Sequence, residues 1–385
     1  MRQNIFSKYD QIIKQYQGKK DLESQQKVAV AYVEKGIAQG QARLFEEAVA
    51  SFDAVIVAHE KTEDAVLQEQ VAKALFNKGV AHNQSIMPQE ELACYERVIE
   101  LYTKTSHVAV QEQVANAFLN KAAVLGLMEN SIKEIMVYEE LLALYGENKN
   151  ARIQERIAEA LLNKAVVRSQ TNKVDESFTL YDEVVARYKD APELSLQAQV
   201  AVAMLNKGML YEAGEQFNEA MVMFDTLIDR YGEATDTELK AQVANAYMHK
   251  SFLLERAGRQ GEAVAMLDKL QVLLGDTQEE SLQELSAWAM HGKAFILAKQ
   301  EKPEEALRAY DELVERYGTV ERASMQNLVA KTLLNQGMGL EYLGNKKVAL
   351  EKYREVIDRY NKSDDPALKE QVKVAHGAIQ GLELE

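Results

Sequence analysis

Apolar and polar residues alternate along this chain with two superimposed periods. The short one is helical: apolar side chains recur at three- and four-residue steps through nearly every stretch. The long one is 43 residues. LFNKG at 75–79 returns as FLNKA at 118–122, LLNKA at 161–165, MLNKG at 204–208 and LLNQG at 333–337. A second fragment, FDAVI at 52–56, returns as YERVI at 95–99, YEELL at 138–142, YDEVV at 181–185, YDELV at 310–314 and YREVI at 353–357. Each period therefore predicts two antiparallel helices. A tyrosine helix covers about 15 residues, for example 217–231, and a longer NK helix about 20, for example 193–213.

Columns read at this period are sharper than the fragments. One holds Tyr9, Phe52, Tyr95, Tyr138, Tyr181, Phe224, Leu267, Tyr310 and Tyr353; another, seven residues on, holds mostly tyrosine from Tyr16 to Tyr360. A step of seven is two helical turns, so both rings share a face. On the NK helix, Ala29, Ala72, Ala115, Ala158, Ala201 and Ala244 begin a small-residue column, and Ala31, Ala74 and Ala117 another. Small residues permit close helix approach, and the rings fill the remaining space, so the tyrosine ladder reads as core rather than as an aromatic ligand box. The breakers follow the same period. Pro88 and Pro303 open tyrosine helices, and Asp365-Pro366 reads as an N-cap with proline at the first helical position. Gly146, Gly232, Gly275 and Gly318 fall just past the tyrosine helix, where a left-handed C-terminal glycine is expected.

The repeat resembles the tetratricopeptide repeat. Asn206, Gly208, Tyr211, Phe217, Glu219, Ala220 and Phe224 stand where that motif expects them, and Phe45, Glu47, Ala48 and Phe52 repeat its second half. The usual unit has 34 residues; at 43 this one is similar to the longer-repeat group typified by kinesin light chain, and it places lysine where the motif has leucine between Asn and Gly. The resemblance implies an all-α, right-handed α-solenoid or superhelix of about nine antiparallel hairpins, some 18 helices. The chain reads as one such domain, 1–385, in nine units: 1–43, 44–86, 87–129, 130–172, 173–215, 216–258, 259–301, 302–344 and 345–385.

It also implies that the NK helices line the inner, concave surface and that the repeat binds a peptide or helix of another protein there. The asparagine ladder Asn77, Asn120, Asn163, Asn206 and Asn335 would then point into the groove. An amide donates to C=O and accepts from N–H, as the backbone of an extended peptide requires; alternatively the asparagines bond only to neighbouring helices. Lys73, Asn116, Asn245, Trp288 and Lys331 stand in the column that varies most on the same stripe and are candidates for specificity. Trp288, the sole tryptophan, is either a binding hot spot or local packing. Around it Ser286, Gly292, Leu267 and Leu274 replace the usual residues, so 265–295 is a worn repeat, a flexible joint or a partner site.

A lysine ladder (Lys35, Lys78, Lys121, Lys164, Lys207, Lys250, Lys293) faces an acidic one running from Asp10 and Asp53 to Asp268 and Asp311. Pairing between hairpins is expected, since an unpaired buried ammonium is costly; the alternative is that each lysine head snorkels to water.

Composition narrows the function. The net charge of −15 disfavours nucleic acid and favours a basic partner. The single cysteine, Cys94, cannot build an internal disulfide or a cysteine zinc site, and points to a reducing, cytoplasmic setting. The first twenty residues lack the apolar core of a secretory signal, and no run of about 18 apolar residues spans a membrane. The six histidines show neither triad nor metal spacing, and no phosphate loop occurs, so no catalytic residue, metal or cofactor is expected. The expected function is that of a non-enzymatic interaction scaffold for a basic protein or peptide partner. The alternative is a self-assembling element, a homo-oligomer joined through its terminal helices.

Overall fold

The computed structural model describes residues 6–384; the unit ends at 1–5 and 385 lie outside the described residues. Among these the chain forms eighteen α-helices and no strand. The tyrosine helices are α1 (Ser7–Tyr16), α3 (Phe45–His59), α5 (Pro88–Tyr102), α7 (Ser131–Tyr145), α9 (Val174–Tyr188), α11 (Phe217–Tyr231), α13 (Gln260–Leu274), α15 (Pro303–Tyr317) and α17 (Lys346–Tyr360). The NK helices are α2 (Leu22–Gln41), α4 (Ala65–Gln84), α6 (Val108–Leu127), α8 (Ala151–Gln170), α10 (Leu194–Ala213), α12 (Thr237–Arg256), α14 (Glu280–Lys299), α16 (Ala323–Tyr342) and α18 (Pro366–Leu384).

Helix starts follow from side chains at repeat positions. Asp21, Asp64 and Asp236 accept from the backbone N–H of Ser24, Leu67 and Leu239 at 2.9–3.0 Å, capping three NK helices. Asp365 does the same for Ala367 at 2.7 Å, ahead of Pro366, as its sequence suggests. The left-handed residue lies elsewhere than expected. Gly146, Gly232 and Gly318 are right-handed, with φ of −56°, −59° and −63°. Only Gly275 of that column has positive φ. Instead the tight turn after each NK helix carries it, at Arg43, Ile86, Glu129, Asn172, Glu215, Gly258, Glu301 and Gly344. Closing two helices through so few residues imposes that conformation whatever residue stands there.

Packing divides the chain into two compact units, Met1–Gln199 and Val200–Glu385. In the first, α2 packs on α4, α4 on α6 and α6 on α8; in the second, α12 packs on α14, α14 on α16 and α16 on α18. Within each unit tyrosine helices pack on the NK helices beside them, as α3 does on α2 and α4 and α15 on α14 and α16. Within each unit successive NK helices thus touch one another directly, closer than the tyrosine helices do. The NK alanines, such as Ala72, Ala115, Ala244 and Ala287, are fully buried. The tyrosine ladder is core as expected: Tyr95, Tyr138 and Tyr353 are among the largest fully enclosed side chains. Each NK helix and the tyrosine helix after it approach so closely that a Cβ on Gly79 would lie 2.7 Å from the Tyr95 ring, and one on Gly337 2.2 Å from that of Tyr353. Only a residue without a side chain allows that approach.

Lysine and acid ladders meet. Lys35 reaches Asp10 at 2.7 Å, Lys78 reaches Asp53 at 2.6 Å, Lys121 reaches Glu96 at 3.1 Å and Lys164 reaches Glu139 at 3.0 Å. Lys250 pairs with Asp225, and Lys293 with Asp268 at 2.6 Å. Where glutamine replaces lysine, Gln336 donates to Asp311 at 2.6 Å. Each of these pairs joins a tyrosine helix to the NK helix that follows it. They therefore form inside the 43-residue units, not from one unit to the next as expected. The lysine side chains stay 15–34% exposed, so the stems pack while the heads reach both water and carboxylate.

Candidate functional site

The asparagine ladder lies half-buried on the NK helices. Asn120 donates to the Tyr95 hydroxyl at 3.2 Å and Asn335 to that of Tyr310 at 3.2 Å. Asn163 likewise hydrogen-bonds to Tyr138. Phe52 has no hydroxyl to offer Asn77, whose amide turns back to the Lys73 carbonyl at 2.8 Å. Opposite Phe224 the ladder switches to His249, which stacks on that ring at 5.4 Å and bonds Glu212 at 2.9 Å. Opposite Leu267 it switches to Gly292. The amide thus tracks the ring beside it: Asn120, Asn163 and Asn335 bond a tyrosine hydroxyl, and Asn77 bonds its own helix. Asn206 is half-buried as well.

The variable column is more open. Trp288 is 39% exposed. Lys331 lies over its ring at 5.7 Å and His291 edge-on at 6.1 Å. Lys73 pairs with Glu69 at 2.6 Å, and Asn116 and Asn245 are half-buried.

A column that the sequence reading did not single out is more conspicuous. Met209, Phe252, Phe295 and Met338, 43 residues apart, are 40–56% exposed on α10, α12, α14 and α16. Its counterparts in the first unit are Ile37 and the smaller Val80, Ala123 and Val166. Growing side-chain size at an exposed repeat position was the available signal. Two clefts flank Phe295. The first, of about 440 Å³, lies between α12 and α14, with Phe252, Trp288 and Phe295 as walls and Leu267 beneath. The second, of about 340 Å³, lies between α14 and α16, walled by Phe295, Met338 and Tyr342 over Tyr310. Each is deepened by a glycine. A Cβ on Gly292 would meet nothing nearer than Leu267 Cδ1 at 3.6 Å, and one on Gly339 nothing nearer than Leu307 Cδ2 at 3.4 Å. The irregular stretch around Trp288 is therefore an opened surface.

Its polar atoms are organised. Ser286 donates to Gln271 Oε1 at 2.9 Å and accepts from the Tyr317 hydroxyl at 3.0 Å. His291 sits below Trp288, its Nδ1 3.0 Å from Thr332 Oγ1, and burial, helped by Lys331, pulls it down to about 4. It is neutral at pH 7. Cys94 is buried and its thiol is pushed up to about 11, far from thiolate chemistry. Among the described residues no His, Cys, Asp and Glu side chains converge as a metal site, and no helix is long and apolar enough to cross a membrane.

Hairpins of alternating long and short helices, stacked with their long helices together, define an α-helical repeat protein of the solenoid class. Tetratricopeptide repeat models match residues 202–234 and 293–364, so these segments carry the repeat's signature within a chain built on a 43-residue unit. Among solved structures, apo RapI aligns at 10% identity over 92% of this chain and 98% of its own, with a TM-score of 0.55. The apo form of the quorum sensor NprR from B. thuringiensis aligns at 13% identity over 93% of each chain, with a TM-score of 0.49. A tetratricopeptide repeat protein from Parabacteroides merdae aligns at 16% identity over 79% of this chain and 98% of its own, with a TM-score of 0.45. At such identities the likeness to RapI is one of fold. No curated protein sequence matches the chain.

Proposed function

We propose that the chain is a non-enzymatic scaffold that captures a segment of a protein partner on the NK face, in the concave groove of the Val200–Glu385 unit. The observation that carries this is the apolar column Met209, Phe252, Phe295 and Met338, left open to water beside two clefts. Aligned exposed rings and methionines are a surface made for an apolar partner. The partner is basic, in keeping with the net charge of −15. Trp288, Asn245 and Lys331 vary around the clefts and select among partners; Lys73 and Asn116 hold the matching positions in the first unit. The single buried thiol suits a cytoplasmic setting. The test is selection from a displayed random-peptide library against the wild type and against the Phe252→Ser, Phe295→Ser variant. Selected peptides should bind the wild type saturably and lose at least tenfold in affinity on the variant. Peptides that bind both equally, or a failure to select any, would refute the reading.

A further inference from the structure

Resting on that reading, we infer that the segment captured is an amphipathic basic helix that sets two apolar anchors, seven residues apart, into the clefts on either side of Phe295. The surface lacks what an extended peptide requires. An extended peptide needs side-chain amides to satisfy its backbone, yet around the larger cleft the ladder positions are His249 and Gly292, and Asn335 is already spent on Tyr310. A helix satisfies its own backbone and asks only for an apolar groove.

Spacing agrees. The clefts repeat one NK helix apart, and packed helices lie about 8–10 Å apart. Seven residues of helix rise about 10.5 Å and return to the same face. Gly292 and Gly339 replace the larger residues of their columns and leave room for one branched or aromatic side chain in each cleft. The charge is complementary too. The parallel NK helices end together, so their negative poles line one edge of the groove. Glu212, Glu255 and Glu341 occupy one column at that edge, and exposed Glu301 lies at the mouth of the smaller cleft. The cations nearest the clefts lie on carboxylates or rings: Lys299 pairs with Glu255 at 2.7 Å, Lys331 lies over the Trp288 ring and Arg256 over the Phe217 ring.

Trp288, the only tryptophan, lines the larger cleft and reports its occupancy. The probe is an 18-residue Leu/Lys peptide with leucines at helical spacing, titrated into the full chain and followed by Trp288 fluorescence and circular dichroism. Expected are a saturable blue shift and a gain of peptide helicity. Affinity should fall at least tenfold with Gly292→Leu or Gly339→Leu. Both fill a cleft and replace a helical glycine, so neither should unfold the chain; thermal melting checks this. Affinity should also fall with a Leu/Glu peptide, and with a Leu/Lys peptide whose anchors stand five apart. Equal binding of these peptides, or Gly292→Leu without effect, overturns the inference. So does sedimentation showing that the face pairs with a second copy until Phe295→Ser dissolves it. Library peptides that bind the NK face in extended form would keep the scaffold reading and remove this one; no NK-face binder of any kind would remove both.

Discussion

His291 makes the cleft acid-labile, by an amount that can be worked out. Its column holds leucine on α6, α8, α10 and α16, and its partner Thr332 stands in a column otherwise alanine. The imidazole is enclosed by the Trp288 and Tyr310 rings, with Thr332 and Asn335 on its nitrogens and Lys331 as the nearby cation. Burial, with Lys331 adding repulsion, lowers it from 6.5 to about 4. Between those values the unfolded chain binds a proton that the folded chain refuses, so stability is present above about pH 6.5 and is lost as pH falls. From pH 7.5 to pH 5 the loss is about 2 kcal/mol. The double variant His291→Leu, Thr332→Ala restores the residues of the other units and removes the titration. Urea unfolding followed by Trp288 fluorescence at both pH values should show the wild type losing about 2 kcal/mol more than the variant. Parallel losses would show that His291 takes up its proton as easily folded as unfolded, and would refute the reasoning.

Three further outcomes follow from the packing. Tyr138→Ala removes a fully enclosed ring and should cost about 3–5 kcal/mol in chemical denaturation; a neutral result would deny the ladder its place in the core. Asn163→Ala takes one partner from the buried Tyr138 hydroxyl and should cost about 1 kcal/mol, against at most about 0.5 for a side chain serving only a ligand. Ile86 is β-branched, exposed and held at φ 59°, so Ile86→Gly should raise stability by about 1 kcal/mol, read as an upward shift in melting temperature.

Repetition made the fold legible. Each structural role is written along the chain many times over, so accidental residues average out and the tyrosine, alanine and lysine columns stand clear. The hairpin boundaries, the proline positions and the core all follow from those columns. Two things did not. Left-handed turn residues were sought at glycines, whereas turn closure forces that conformation on Arg43, Glu129 and Glu301 regardless of preference. The asparagines' bonds to the ring ladder were not read from the sequence, because the tyrosine partners of Asn120 and Asn335 lie 25 residues away, a relation visible only once both columns are set side by side. The open column failed for the converse reason. Met209, Phe252, Phe295 and Met338 are apolar at helical spacing, which a sequence presents in the same way whether the residue is covered or bare.

The ladders have a consequence for how the chain comes to be folded. Lys78 finds its carboxylate 25 residues back, and even long-reaching bonds such as those from Lys299 to Glu255 and from Asn335 to His291 span 44 residues. Each hairpin therefore completes its polar contacts with chain that has just preceded it. Ordering can advance along the polypeptide as it leaves the ribosome, with little entropy spent on closing distant loops. A solenoid of this kind grows by accretion, and its sequence is read by the folding process in the order in which it is made.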